Sequence, residues 1–98
     1  MNMQAIMRQA QQMQSEIMKI QRELDKTEYE GNSSLVTVVL NGKKEMLKLT
    51  IKDKENLNSD DMDILEDMVV VAFNEAMKKV DVDKEKKLSK YQGLAGMM

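Results

Sequence analysis

Apolar residues near the N-terminus fall at alternating spacings of three and four: Met3, Ile6, Ala10, Met13, Ile17, Ile20 and Leu24. This strict 3.5-residue repeat draws a narrow stripe along a helix predicted from about Met3 to Lys26, roughly 36 Å long at 1.5 Å per residue. Such a seam stabilises a helix only when another helix covers it, either the chain's own second helix or one from another subunit. The remaining positions are mainly glutamine, with Arg8, Glu16, Lys19, Arg22 and Glu23, so the outer face is polar and nearly neutral. Thr27 breaks the pattern, a short extended piece containing Tyr29 follows, and Gly31, Asn32, Ser33 and Ser34 read as a loop.

From Leu35 the period becomes two: Val36, Val38 and Leu40 point one way, Thr37 and Val39 the other. Asn41-Gly42 is the strongest short-range hairpin signal, because both central residues of a type I′ turn need positive φ. The return strand alternates Leu47, Leu49 and Ile51 against Met46, Lys48 and Thr50. A loop of two or four residues keeps the same parity, so Val36 and Val38 share a face with Leu47 and Leu49. A lone hairpin is marginal, so the Tyr29 segment is expected to add a third strand, or a dimer to extend the sheet.

Asn58 and Ser59 are good N-caps, and Asp60, Asp61 and Asp63 suit the positive end of a helix. The acidic cluster lacks the glycine and ligand order of a calcium loop, so it reads as a helix start. Met62, Leu65, Val69, Ala72 and Ala76 continue at three-four spacing, widened by Met68, Phe73, Met77 and Val80 into a broad apolar face. Beyond Val80 the apolar content thins, and a weaker or bent helical end is expected, with Leu88 and Tyr91 extending the stripe. Gly93 to Met98 reads as a disordered tail after a single domain spanning 1–92. The matching apolar faces suggest that the first helix pairs antiparallel with Met62–Val80, stiffening a projecting arm.

The 98 residues contain no Cys, His, Trp or Pro. Disulfides and the usual zinc, thiol and imidazole chemistries are therefore out of reach, and a cytoplasmic setting fits. No apolar run approaches the roughly 20 residues of a membrane span, and the N-terminus does not read as a signal peptide. The Ser, Thr, Tyr and Lys side chains have no recognisable base beside them, and there is no Walker loop or dinucleotide fingerprint. The chain is read as no enzyme, with no catalytic residue, metal site, cofactor or small-molecule substrate. The eleven methionines are assigned mostly to flexible core packing.

Net charge is -2, but its distribution matters more. Residues 43–54 carry five basic and two acidic side chains, residues 55–77 carry seven acidic and none basic, and residues 78–98 carry six basic and three acidic. Binding to a polyanion depends on local basic surface, not on the sum.

The run "MRQAQQMQSEIM" at Met7–Met18 resembles the Gln- and Met-rich first helix of the YbaB/EbfC nucleoid-associated proteins. The resemblance continues through "YEG" at Tyr29–Gly31 and "LVTVVLNG" at Leu35–Gly42. It is sharpest in "LEDMVVVAFNEAMKKV" at Leu65–Val80, and the Gly/Met-rich end from Gly93 also fits. Asn32, Ser33 and Ser34 stand where the family often has a glycine run, and Asp53-Lys54 where it often has Asp-Pro; both departures lie in loops.

The resemblance implies an α+β homodimer: a long helix, a small three-stranded antiparallel sheet and a second long helix, with helical arms projecting from the dimer body. It implies a nucleoid-associated, cytoplasmic protein that binds duplex DNA and alters its conformation, with roles in nucleoid organisation, DNA protection and gene regulation. Candidate phosphate contacts are Arg8, Lys19, Arg22 and Lys26 on the first helix and Lys78, Lys79, Lys84, Lys86, Lys87 and Lys90 on the second. Val36, Val38, Leu47, Leu49 and Phe73 are the candidate dimer contacts. The rival reading is a protein-binding helix–hairpin–helix module of prefoldin type, or a structural dimerisation module.

Overall fold

A computed structural model describes residues 2–91. Helix α1 (Met3–Lys26) is followed by strands β1 (Glu28–Ser33), β2 (Val36–Asn41) and β3 (Met46–Ile51) and helix α2 (Met62–Leu88). The strands form one antiparallel sheet in the order β1-β2-β3, giving an α+β fold. The expected tail at 93–98 lies outside the described residues.

The pleat explains which side of the sheet is covered. Tyr29, Gly31 and Ser33 pair across β1 and β2 with Leu40, Val38 and Val36, and α2 packs on that face. The core joins Tyr29, Val36, Val38 and Leu40 to Leu65, Ala72, Ala76 and Val80. Ala72 and Ala76 are small enough to bring α2 down onto Gly31, where an added Cβ would lie 1.9 Å from the Ala72 carbonyl oxygen. Gly31 to Ser33, expected as loop, therefore belong to β1: Gly31 serves close approach, not a turn.

The β2–β3 turn also differs from the expectation. Neither Asn41 nor Gly42 has positive φ; Lys44 does, at 65°. The loop has four residues, organised by the Asn41 side chain, whose oxygen accepts from the amides of Lys43 and Glu45 at 2.9 and 3.0 Å. Gly42 is spared a side chain because the Leu24 carbonyl oxygen would sit 1.9 Å from its Cβ, so it seats the inner end of α1. A register shift at Val39/Leu40 offsets β3, whose Leu49 and Ile51 still face Val38 and Val36.

The expected caps act one turn early: Asn58 caps a short 3-10 turn, Ser59–Asp61, and α2 itself starts at Met62. The Asn58 side chain accepts from Asp60 N, and Asn58 N donates to the Asp61 carboxylate, closing a capping box. The helix then runs unbroken through Val80 to Leu88, so the thinning of apolar residues there does not end it. Lys84, Glu85, Lys86 and Lys87 are good helix formers, no Gly or Pro interrupts them, and Lys87 pairs with Asp83 one turn back at 3.0 Å.

The expected pairing of α1 with Met62–Val80 is corrected as well. That broad face covers the sheet, and the part of α2 that meets α1 is its outer end. In the 3-10 turn Ser89–Tyr91 that follows it, Tyr91, buried, donates to the Glu16 carboxylate at 2.8 Å and sits beside Ile20 and Glu23. A face with small residues at its centre fits a sheet; the narrow seam needs only narrow cover. The described residues extend 71 × 20 × 15 Å with a radius of gyration of 19.7 Å. A compact chain of about 100 residues has about 13 Å, so α1 stands out as an arm.

A polar tie locks the sheet to α2. Tyr29 Oη donates to Asp83 Oδ2 at 2.6 Å, linking β1 to α2. Burial, then the bond to Asp83, pushes the Tyr29 phenol up to about 12, and the same bond, partly opposed by burial, holds the Asp83 carboxyl below its usual range. Folding thus favours neutral Tyr29 and ionised Asp83. The Asp83 contribution is present above the unfolded carboxylate range and lost as pH falls through the lowered value. The Tyr29 contribution is present below about pH 10 and lost as pH rises towards 12. Tyr29→Phe should cost about 1–2 kcal/mol in urea unfolding at neutral pH, with the deficit shrinking at both extremes. A deficit independent of pH would show that the tie does not matter.

Candidate nucleic-acid interface

At 100° per residue, Arg8, Lys19, Arg22 and Lys26 fall within about 60° of one another on α1, directly opposite the apolar seam. The four cations form one face about 27 Å long at 1.5 Å per residue. All four are exposed, and none forms an ion pair with another described residue. Long flexible side chains in such a row suit phosphate oxygens, which need charge and reach more than fixed geometry.

The row gains a member at its inner end. Arg22 and Lys26 share a shallow cleft with Lys43 from the β2–β3 loop, together with Asp25, Asn41 and Glu45. Lys43 was missed because only the fold brings this loop against α1. The signal available was the basic excess of residues 43–54, which also supplies exposed Lys48 and Lys52 on the uncovered β3 side.

The α2 cations are not equivalent. Lys79 bonds Glu75 at 3.4 Å and donates to the Glu30 carbonyl oxygen at 2.6 Å, so it pins the edge of β1. Lys87 is held by Asp83, and Lys90 lies over the Tyr91 ring at 5.0 Å. Lys78, Lys84 and Lys86 are exposed and form no ion pair with a described residue. Lys78 and Lys86 flank a cleft of about 530 Å³ beside Tyr29, while Lys84 lies on another side of the helix. The ten candidates therefore form no single patch; the α1 row is the coherent one.

Charge is also separated along α2. Asp60, Asp61, Asp63, Glu66 and Asp67 cluster at its start, whereas Lys84, Lys86, Lys87 and Lys90 cluster at its end. Asp63 and Lys87 are roughly 36 Å apart along the axis at 1.5 Å per residue. That exceeds several Debye lengths of about 8 Å at physiological salt, so the acidic end barely weakens the field at the basic one.

Of the proposed subunit contacts, Val36 and Val38 are fully buried beneath α2 in this chain and offer no surface to a partner. Leu47 and Leu49 are 52% and 40% exposed, because α2 covers β1 and β2 and leaves β3 open. Phe73 is half-buried and packs against the core of this chain.

The model of the YbaB/EbfC DNA-binding family matches residues 1–96. The chain belongs to that family. A nucleoid-associated protein of Mycoplasmopsis pulmonis is 46% identical over 81 residues, covering 83% of this chain and 80% of the relative. Those of Ligilactobacillus salivarius and Enterococcus faecalis are 39% and 38% identical, covering 93% and 97% of this chain and 88% and 93% of theirs. Membership of the YbaB/EbfC family favours the DNA reading of the α1 row over the prefoldin-type alternative. Among the described residues, no helix is long and apolar enough to cross a membrane.

Proposed function

We propose that this chain is a cytoplasmic, nucleoid-associated protein that binds duplex DNA as a homodimer and alters its conformation. Nucleoid organisation, DNA protection and gene regulation are the roles this would serve. The observation that carries the reading is the row Arg8, Lys19, Arg22 and Lys26 on the face of α1 opposite its seam, free of ion pairs among the described residues and joined at the root by Lys43. These side chains grip backbone phosphates and give affinity and register with little sequence readout. The family membership supports the same reading. The working unit is the single domain of residues 1–92.

The homodimer is supported by the open β3 side: a strand edge unpaired among the described residues and bearing exposed Met46, Leu47 and Leu49. An edge this apolar invites a partner strand or helix.

Anisotropy titrations of a short duplex across a salt series test the function. The expected result is tight binding at low salt that weakens with a log-log slope of about -0.9 per phosphate neutralised, and little difference between unrelated sequences. Absence of binding at low salt would sink the proposal.

A further inference from the structure

The 3.5-residue repeat runs further than the other described residues cover. Leu24 is buried and Ile17 and Ile20 are half-buried, but Met3, Ile6 and Met7 are 75%, 47% and 59% exposed, and Ala10 is exposed too. No described element reaches this outer half of the arm. We propose that it is a docking surface for the same segment of a second copy, the two arm tips lying antiparallel.

Charge and shape both point to a like helix as the occupant. In heptad terms the seam positions are Met3, Ile6, Ala10 and Met13, and the flanking positions are Asn2, Met7, Gln9 and Gln14, all uncharged. Flanking charges set partner choice and orientation in coiled coils, and their absence lets this segment meet its own copy without repulsion. The inner half differs, since Glu16 and Glu23 flank it and would repel a copy. The single charge in residues 2–15 is Arg8, on the face opposite the seam, so pairing leaves it free.

Each α1 runs inward from its tip to its sheet, so two bodies lying apart can share their tips only if the helices are antiparallel. The register that sets Ile6 of one copy against Ala10 of the other, and Met3 against Met13, packs large against small at the centre. The overlap spans about 15 Å, at 1.5 Å per residue. It buries well under the roughly 1,200 Å² of a standing interface, so the contact is weak between free copies and gains when copies are held close along one DNA molecule. Tip pairing thereby links separately bound copies.

The chain has no cysteine, so cross-linking is clean. A mixture of Ile6→Cys and Ala10→Cys proteins should oxidise to the mixed pair in preference to either self-pair. In sedimentation from micromolar to several hundred micromolar, wild type should show a species twice the mass of the largest formed by Met3→Glu/Ile6→Glu. Affinity of that variant for a duplex too short for two assemblies should stay within about twofold, which separates failure of this contact from failure of DNA binding. Leu49→Lys, at the sheet edge, should leave the preferred cross-link in place. Sedimentation unaltered by the tip substitutions would overturn the proposal, whether residues 92–98 of the same chain or a different protein covers the tip. So would a cross-link lost only with Leu49→Lys.

Discussion

Gly31→Ala should unfold the sheet–helix body, or cost at least about 3–5 kcal/mol in urea denaturation, the range reached when a core contact is made sterically impossible. The new Cβ would lie 1.9 Å from the Ala72 carbonyl oxygen and 2.7 Å from the Ala76 amide nitrogen. Both are backbone atoms of α2, so no rotamer change relieves the clash. The helix must lift from β1, opening the contacts of Tyr29, Val38 and Leu40 with Leu65, Ala76 and Val80. Asn32→Ala, one residue along on the exposed side, should change stability by less than about 0.5 kcal/mol. Equal effects at positions 31 and 32 would mean that the close crossing of α2 over β1 is not what holds the body together.

The second large effect is on binding. Replacing Lys19, Arg22 and Lys26 together by Gln should weaken duplex affinity on the order of a thousandfold near 0.1 M salt, since each of the three phosphate contacts carries roughly a tenfold counterion-release contribution there. Stability should change little, because the three side chains are exposed and form no ion pair with a described residue. The matching substitution of Lys79 and Lys87 should act differently. Those side chains hold Glu75, the Glu30 carbonyl and Asp83, so their loss should loosen the β1 edge and weaken DNA binding only modestly. A larger binding loss from Lys79 and Lys87 than from the α1 row would place the interface on α2.

Much of the fold was legible because it is local. The 3.5 repeat marked α1 to the residue, alternation marked β2, and Asn58 with its following aspartates marked the approach to α2. What was not legible depended on distant chain segments. Gly31 and Gly42 look like turn residues, yet both are glycine so that a backbone carbonyl from another element can press against them. The seam of α1 suggested full-length pairing with Met62–Val80, because periodicity shows that a face is apolar without showing whether a helix or a sheet covers it. Tyr91 and Glu16 are 75 residues apart, and nothing local announces their bond.

The candidate site was half legible. The α1 cations were named individually, and their common face follows from helical spacing. That Lys79 and Lys87 are engaged, that Lys43 joins the row, and that Val36 and Val38 are already covered needed the folded chain.

The most direct measurement of the central claim is the salt slope of duplex binding for wild type and for the Lys19/Arg22/Lys26→Gln variant, under identical conditions. The variant's slope should be shallower by about 0.9 for each phosphate contact removed, with the protein still folded. A variant that binds with the wild-type slope would contradict that claim and move the DNA-binding face away from α1.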